Sequence, residues 1–163
     1  MAAMTVARAL LKTGPAVAAC AVLGSIGTRE VNSLWYGTLR KPAVQPPPVA
    51  FPVVWTALYS DLAVTSAVAL DALPEEERPA YARALAANLV LNAGWCWVAF
   101  AGHRLGWAVP TAAVLAASSV DLVRRTAAAE GLAGAALAPY AAWCTFATVL
   151  GAALWRANRG RRP

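Results

Sequence analysis

The chain has 163 residues, 60% of them hydrophobic and only 13% charged, with mean hydropathy +0.53 and net charge +6. A soluble helical domain fits that composition poorly, and the basic excess needs no nucleic acid to explain it. Three isolated cysteines and one histidine offer no metal-ligand set and no disulfide framework.

Charge is segregated: long stretches carry almost none, and the charged residues gather between them. A hydrocarbon core needs roughly 20 apolar residues per helix. Stretches at 5–27, 51–70, 80–101, 106–123 and 132–155 meet that length. They predict one five-helix membrane domain over 1–163, with a long loop at 28–50 and a basic tail at 156–163. Only helices and closed barrels satisfy their backbone groups in lipid, and no alternating strand pattern is present. The fold class is therefore all-α.

The first span carries Arg8 and Lys12 near its start. It is too long for a signal-peptide core and is followed by further spans, so it is read as a membrane helix. The loop ends in "KPAVQPPPVAFPVVWTALY" (41–59), five prolines feeding an apolar run. The second span holds Trp55, Tyr59 and Asp61. A carboxylate at the bilayer centre costs about 2.5–3.5 kcal/mol, so Asp61 is expected to be paired, hydrated or protonated. Arg124, Arg125 or the asparagines of the third span are the candidate partners.

In the third span Asn88, Asn92 and Trp95 recur at i, i+4 and i+7 and share one helix face. Buried amides need partners; they either bond neighbouring helices or face a ligand. His103, the sole histidine, falls in the next turn, and Trp107 opens the fourth span. Asp121 can pair with Arg124 or Arg125 at i+3 and i+4. In the fifth span Trp143, Ala147 and Leu150 share a face, with Ala147 as a notch between two large residues. Trp107 and Trp155 suit an interfacial belt. Trp55, Trp95, Trp97 and Trp143 lie deeper, and facing indoles make a slot for a large planar apolar ligand. Basic residues divide eight to six in favour of a cytoplasmic C-terminus, and the Ala- and Arg-rich usage suggests a bacterial cell membrane.

"WYGTLRKP" (35–42), "FPVVWTALY" (51–59), "LN" with Trp95, "GHRLGWA" (102–108), "PYAAWCTFATVL" (139–150) and "WRAN" (155–158) occur in this order along the chain. The combination resembles the translocator protein / tryptophan-rich sensory protein (TspO/MBR) family. The resemblance implies a five-helix bundle, usually a homodimer, whose Pro-rich loop covers a central ligand cavity. It implies porphyrins such as protoporphyrin IX or haem as ligands, and also sterols and isoquinoline or benzodiazepine-type compounds, with no required cofactor. Carried onto this chain, the cavity residues are Tyr36, Trp55, Asn88, Asn92, Trp95, Trp107, Trp143, Ala147 and Leu150. The implied roles are tetrapyrrole sensing, transport or homeostasis, with light-dependent porphyrin breakdown involving Trp55 and Trp143 as the enzymatic alternative. No acid–base pair or nucleophile marks a dark reaction. Several positions depart from the family pattern. Gly151 stands where the family has Asn, Asn88 where Gln is common, and Cys96-Trp97 where prolines are frequent, which implies a straighter helix end. The Tyr of the sterol-recognition stretch is missing from "VLGAALWR", and Asp61 and Asp121 replace apolar residues.

Overall fold

In the computed structural model, which describes residues 5–160, each of the five apolar stretches is a helix long and apolar enough to cross a bilayer. Helix α1 (Val6–Gly27) starts where the Thr5 hydroxyl accepts the Arg8 N–H. The first loop is not featureless. It contains a 3-10 turn (Thr28–Asn32) and a short helix, α2 (Leu34–Thr38), capped by the Ser33 hydroxyl. Helices α3 (Ala50–Ala72) and α4 (Arg78–Cys96) follow. The hairpin of α5 (Leu105–Ala129) and α6 (Gly131–Asn158) turns at Glu130, whose carboxylate accepts the Ala133 N–H at 2.6 Å. Among the described residues there is no strand. The protein is a multi-pass, all-α membrane bundle.

Both members of the hairpin outrun their apolar stretches, because helical hydrogen bonding continues into the interface where polar side chains are solvated. The end of α4 differs from the straight helix implied by Cys96-Trp97. It widens into a π-helical turn (Trp97–Ala101), in which the Gly102 N–H reaches back to the Trp97 carbonyl at 2.7 Å. The Trp97 indole N–H closes on the Leu23 carbonyl of α1 at 3.0 Å, which ties this turn to the neighbouring helix.

Small and hydroxylated residues let the helices approach. Thr13 of α1 donates to the Ala63 carbonyl of α3 at 2.8 Å, and the Cys20 thiol donates to the Leu89 carbonyl of α4 at 3.3 Å. All three cysteines are free and buried, as packing residues should be. The outer face carries exposed Leu11, Val90, Val114 and Leu132, the surface presented to lipid.

Polar contacts inside the bundle converge on α4. Tyr81, Asn88 and Asn92 all point inward. The Tyr81 hydroxyl donates to Ser66 of α3 at 3.2 Å and lies 2.8 Å from the Thr126 hydroxyl of α5. Asn88 donates to Ser119 and Ser118 of α5 at 3.0 and 3.2 Å and accepts from Tyr140 of α6 at 2.6 Å. Asn92 donates to the same Tyr140 hydroxyl at 3.0 Å and accepts from Tyr59 of α3 at 2.9 Å.

Asp121 pairs with Arg125 at 2.6 Å on the exposed side of α5, as its spacing predicts. Of the partners expected for Asp61, Arg124 is exposed on α5 and the others are otherwise engaged. Arg125 is committed to Asp121 and the two amides to the network above, so the Oδ2 of Asp61 is buried with no hydrogen-bond partner among the described residues.

The tightest crossing is α5 on α6. A Cβ built on Gly134 would lie 2.3 Å from the Ala127 Cβ and 2.4 Å from its Cα. Backbone cannot yield as a flexible side chain can. Gly134→Ala is therefore expected to destabilise the bundle by about 3 kcal/mol. Gly14→Ala, whose Cβ would meet nothing within 4 Å, is expected to leave stability equal or slightly higher. Thermal unfolding of both variants in detergent checks the contrast.

Candidate functional site

Above the polar network the bundle is hollow. The ends of α1, α3, α4, α5 and α6 and the first loop enclose a cavity of about 720 Å³, within the range of small-molecule sites. Three tryptophans from three helices form its walls. Trp55 of α3 lies 6.4 Å from Trp95 of α4 and 6.4 Å from Trp143 of α6, inclined at 39° and 87°. It also stacks on Tyr59 at 5.3 Å. Phe51 packs against Trp143 at 6.1 Å, and Phe100 against Trp95 at 5.9 Å. On α6, Ala147, Leu150 and Gly151 keep one wall shallow. A Cβ on Gly151 would meet nothing within 4 Å. Among the described residues no charged side chain lines the cavity.

Six of the nine residues singled out from the sequence line this space: Tyr36, Trp55, Trp95, Trp143, Ala147 and Leu150. The other three lie elsewhere. Asn88 and Asn92 are fully buried in the network beneath the cavity and are not part of its lining. They do share a face with Trp95, but seven residues of helix carry Asn88 about 10 Å further along the axis. Trp107 is 66% exposed and turns outward, away from the cavity.

Sequence reasoning missed Tyr59, Phe51, Phe100 and Gly151, which also line the cavity. Tyr59 follows Trp55 by four residues, so the helical spacing was a usable signal. Phe100 was hidden because the π turn shifts the phase of the helix face. The opening of Gly151 depends on which neighbours are absent, and spacing does not report that.

The first loop closes the top of the cavity, contributing Tyr36, Gln45 and Pro48 to its lining. Burial pushes the Tyr36 phenol above its ordinary pKa, and a hydrogen bond with Gln45 acts in the opposite direction. The Lys41 ammonium sits over the Tyr36 ring, 4.1 Å from its centroid, and donates to the Tyr36 and Leu39 carbonyls. Desolvation there lowers its pKa. Asn158, in the last turn of α6, secures the loop. Its Oδ1 accepts the Arg40 N–H at 2.9 Å, and its Nδ2 donates to the Arg40 carbonyl at 3.0 Å. One amide side chain thus satisfies both backbone groups of a loop residue, as a neighbouring strand would.

The sequence model of the TspO/MBR family matches residues 14–156. The chain is 30% identical to Protein CrtK of Rhodobacter capsulatus over 146 residues, covering 89% of this chain and 91% of that protein. It is 34% identical to the Translocator protein of Sus scrofa over 134 residues, covering 78% and 77%. Against the Tryptophan-rich sensory protein of Cereibacter sphaeroides the identity is 29% over 145 residues, covering 89% and 90%.

Asn158→Ala removes both hydrogen bonds to Arg40 at once. At about 0.5–1.5 kcal/mol per bond, the Arg40 amide is expected to exchange with solvent roughly tenfold faster. The transmembrane amides should be unchanged. Hydrogen–deuterium exchange of the two proteins measures both.

Proposed function

The chain belongs to the TspO/MBR family, and from that premise we propose that it holds a planar, largely apolar tetrapyrrole in the cavity beneath the first loop. Protoporphyrin IX or haem is the ligand class, and tetrapyrrole sensing, carriage or homeostasis in the membrane is the role. The observation that carries this reading is the slot itself. Indoles from three helices surround a space that no charged side chain among the described residues lines. Flat apolar rings gain both buried area and ring–ring contact there.

The same lining constrains the pose. A carboxylate buried without a partner costs several kcal/mol, so a porphyrin enters ring first and keeps its propionates at the mouth. Lys41, poised on the Tyr36 ring, is the cation at that edge. Gly151 leaves room on the α6 wall for a ring substituent.

Two variants test the reading. Trp143→Ala should weaken protoporphyrin binding by about 1–3 kcal/mol, the scale of losing a buried aromatic wall. Gly151→Leu should fill the open side and weaken binding at least as much while folding as well as the parent, since a Cβ there meets no heavy atom within 4 Å, the rest of the side chain extends into the cavity, and leucine favours helix. Quenching of tryptophan fluorescence during titration gives the affinities. Parent-like affinity in both variants would place the ligand elsewhere. Light-dependent porphyrin loss, followed as decay of the Soret band, is expected to require Trp55 and Trp143 together. Equal decay in their double mutant would remove the enzymatic reading.

A further inference from the structure

The first loop meets the rest of the protein at a second point, unlike the amide clasp at Asn158. His103 lies in the turn between the end of α4 and α5, and its imidazole stacks on the Trp35 indole with centroids 3.9 Å apart and planes 13° from parallel. The same ring places its Nε2 3.3 Å from the Glu30 Oε2. Trp35 and Glu30 belong to the first loop, so one imidazole bridges two of its residues to the opposite rim. His103 also has φ of 52°, in the left-handed region, the sole non-glycine to do so among the described residues. That conformation is disfavoured for most side chains. The turn is held in it by the Gly102, His103 and Arg104 N–H groups, which donate to the Trp97, Phe100 and Val98 carbonyls. The backbone thus presents the ring to the loop.

We propose that His103, Glu30 and Trp35 form a pH-sensitive clasp that tightens the lid over the cavity in mild acid. An imidazole ordinarily titrates near pH 6.5 and a glutamate near 4.3. With the ring protonated and the carboxylate ionised, the contact to Glu30 is an ion pair and the stack on Trp35 a cation–π contact. With the ring neutral, only the stack and a neutral hydrogen bond remain. Protonation of Glu30 likewise removes the ion pair. The other charged or titratable groups on the elements that meet here are Arg29, beside Glu30 in the 3-10 turn, Tyr36 on α2 with the Lys41 ammonium over its ring, and Arg104, next to His103 in the chain. Both arginines are exposed, so water and salt screen them. The Asn158–Arg40 clasp has no titratable side chain, so acid strengthens one end of the lid only.

Exchange of lid amides in the full-length, tag-free protein tests this without any ligand, and so independently of what the cavity binds. After correction for intrinsic chemistry, amides of 28–38 should exchange about three- to tenfold more slowly at pH 5.5 than at pH 8, the combined scale of an exposed ion pair and an exposed cation–π contact. The Arg40 amide serves as the internal reference and should not change. His103→Asn keeps a residue that tolerates the left-handed turn and should abolish the response. Glu30→Gln keeps the shape and should at least halve it; should His103→Asn disturb the turn, this variant alone decides. Raising salt from 0.05 to 0.5 M should erode the acid tightening in the parent. A flat parent profile, an equal acid response at Arg40, or an undiminished response in Glu30→Gln would overturn the proposal.

Discussion

Inside hydrocarbon a protein must close its own hydrogen bonds, because lipid offers neither donors nor acceptors. In this bundle that constraint falls on one helix. Helix α4 carries Tyr81, Asn88 and Asn92 on its inward face, and each finds partners on α3, α5 or α6. Such bonds are individually modest, about 0.6 kcal/mol on average in a membrane. Their force lies in the alternative, since a slip of one residue would leave several buried polar groups unpaired at about 1–3 kcal/mol each. The network therefore sets register more than it adds stability. Tyr140 illustrates this: its single hydroxyl donates to Asn88 and accepts from Asn92.

The cavity follows from where that network stops. Below Asn92, polar pairs and close small-residue crossings such as Gly134 on Ala127 bring the helices together. Above it, wide indoles face one another across a gap, and Ala147 and Gly151 leave α6 with little to fill it. Tyr59 joins the two regimes. Its ring stacks on Trp55 in the cavity wall, while its hydroxyl bonds Asn92 at the top of the network. The floor of the site is thereby rigid, while its roof is a loop held at discrete points. Prolines at 42, 46, 47 and 48 limit the freedom that the loop loses when it is fixed there.

This division separates the parts that specify the bundle from those that can move. The transmembrane crossings are locked by buried bonds. The roof is held by Asn158 at Arg40 and by His103 at Trp35 and Glu30, contacts that lie partly in water. Opening the roof breaks a few contacts and leaves the network untouched.

Hydropathy by itself determined the five spans and the all-α class, because the length and polarity of each apolar stretch are local properties that the bilayer thickness reads directly. Side-chain spacing also determined the α6 wall, since Trp143, Ala147 and Leu150 share one face wherever the helix is placed, and it anticipated the Asp121–Arg125 pair. Spacing alone could not separate depth from facing. Asn88, Asn92 and Trp95 form one stripe in sequence, yet only Trp95 reaches the cavity, because the stripe runs along the axis and the hollow occupies one end. Phe100 entered the site only through the π turn, and the unpartnered oxygen of Asp61 only through the prior commitments of its expected partners. Those outcomes depend on which helix stands opposite which, and that is decided by packing and by pairing the buried polar groups of several helices at once, at the cost of one left unpaired at Asp61.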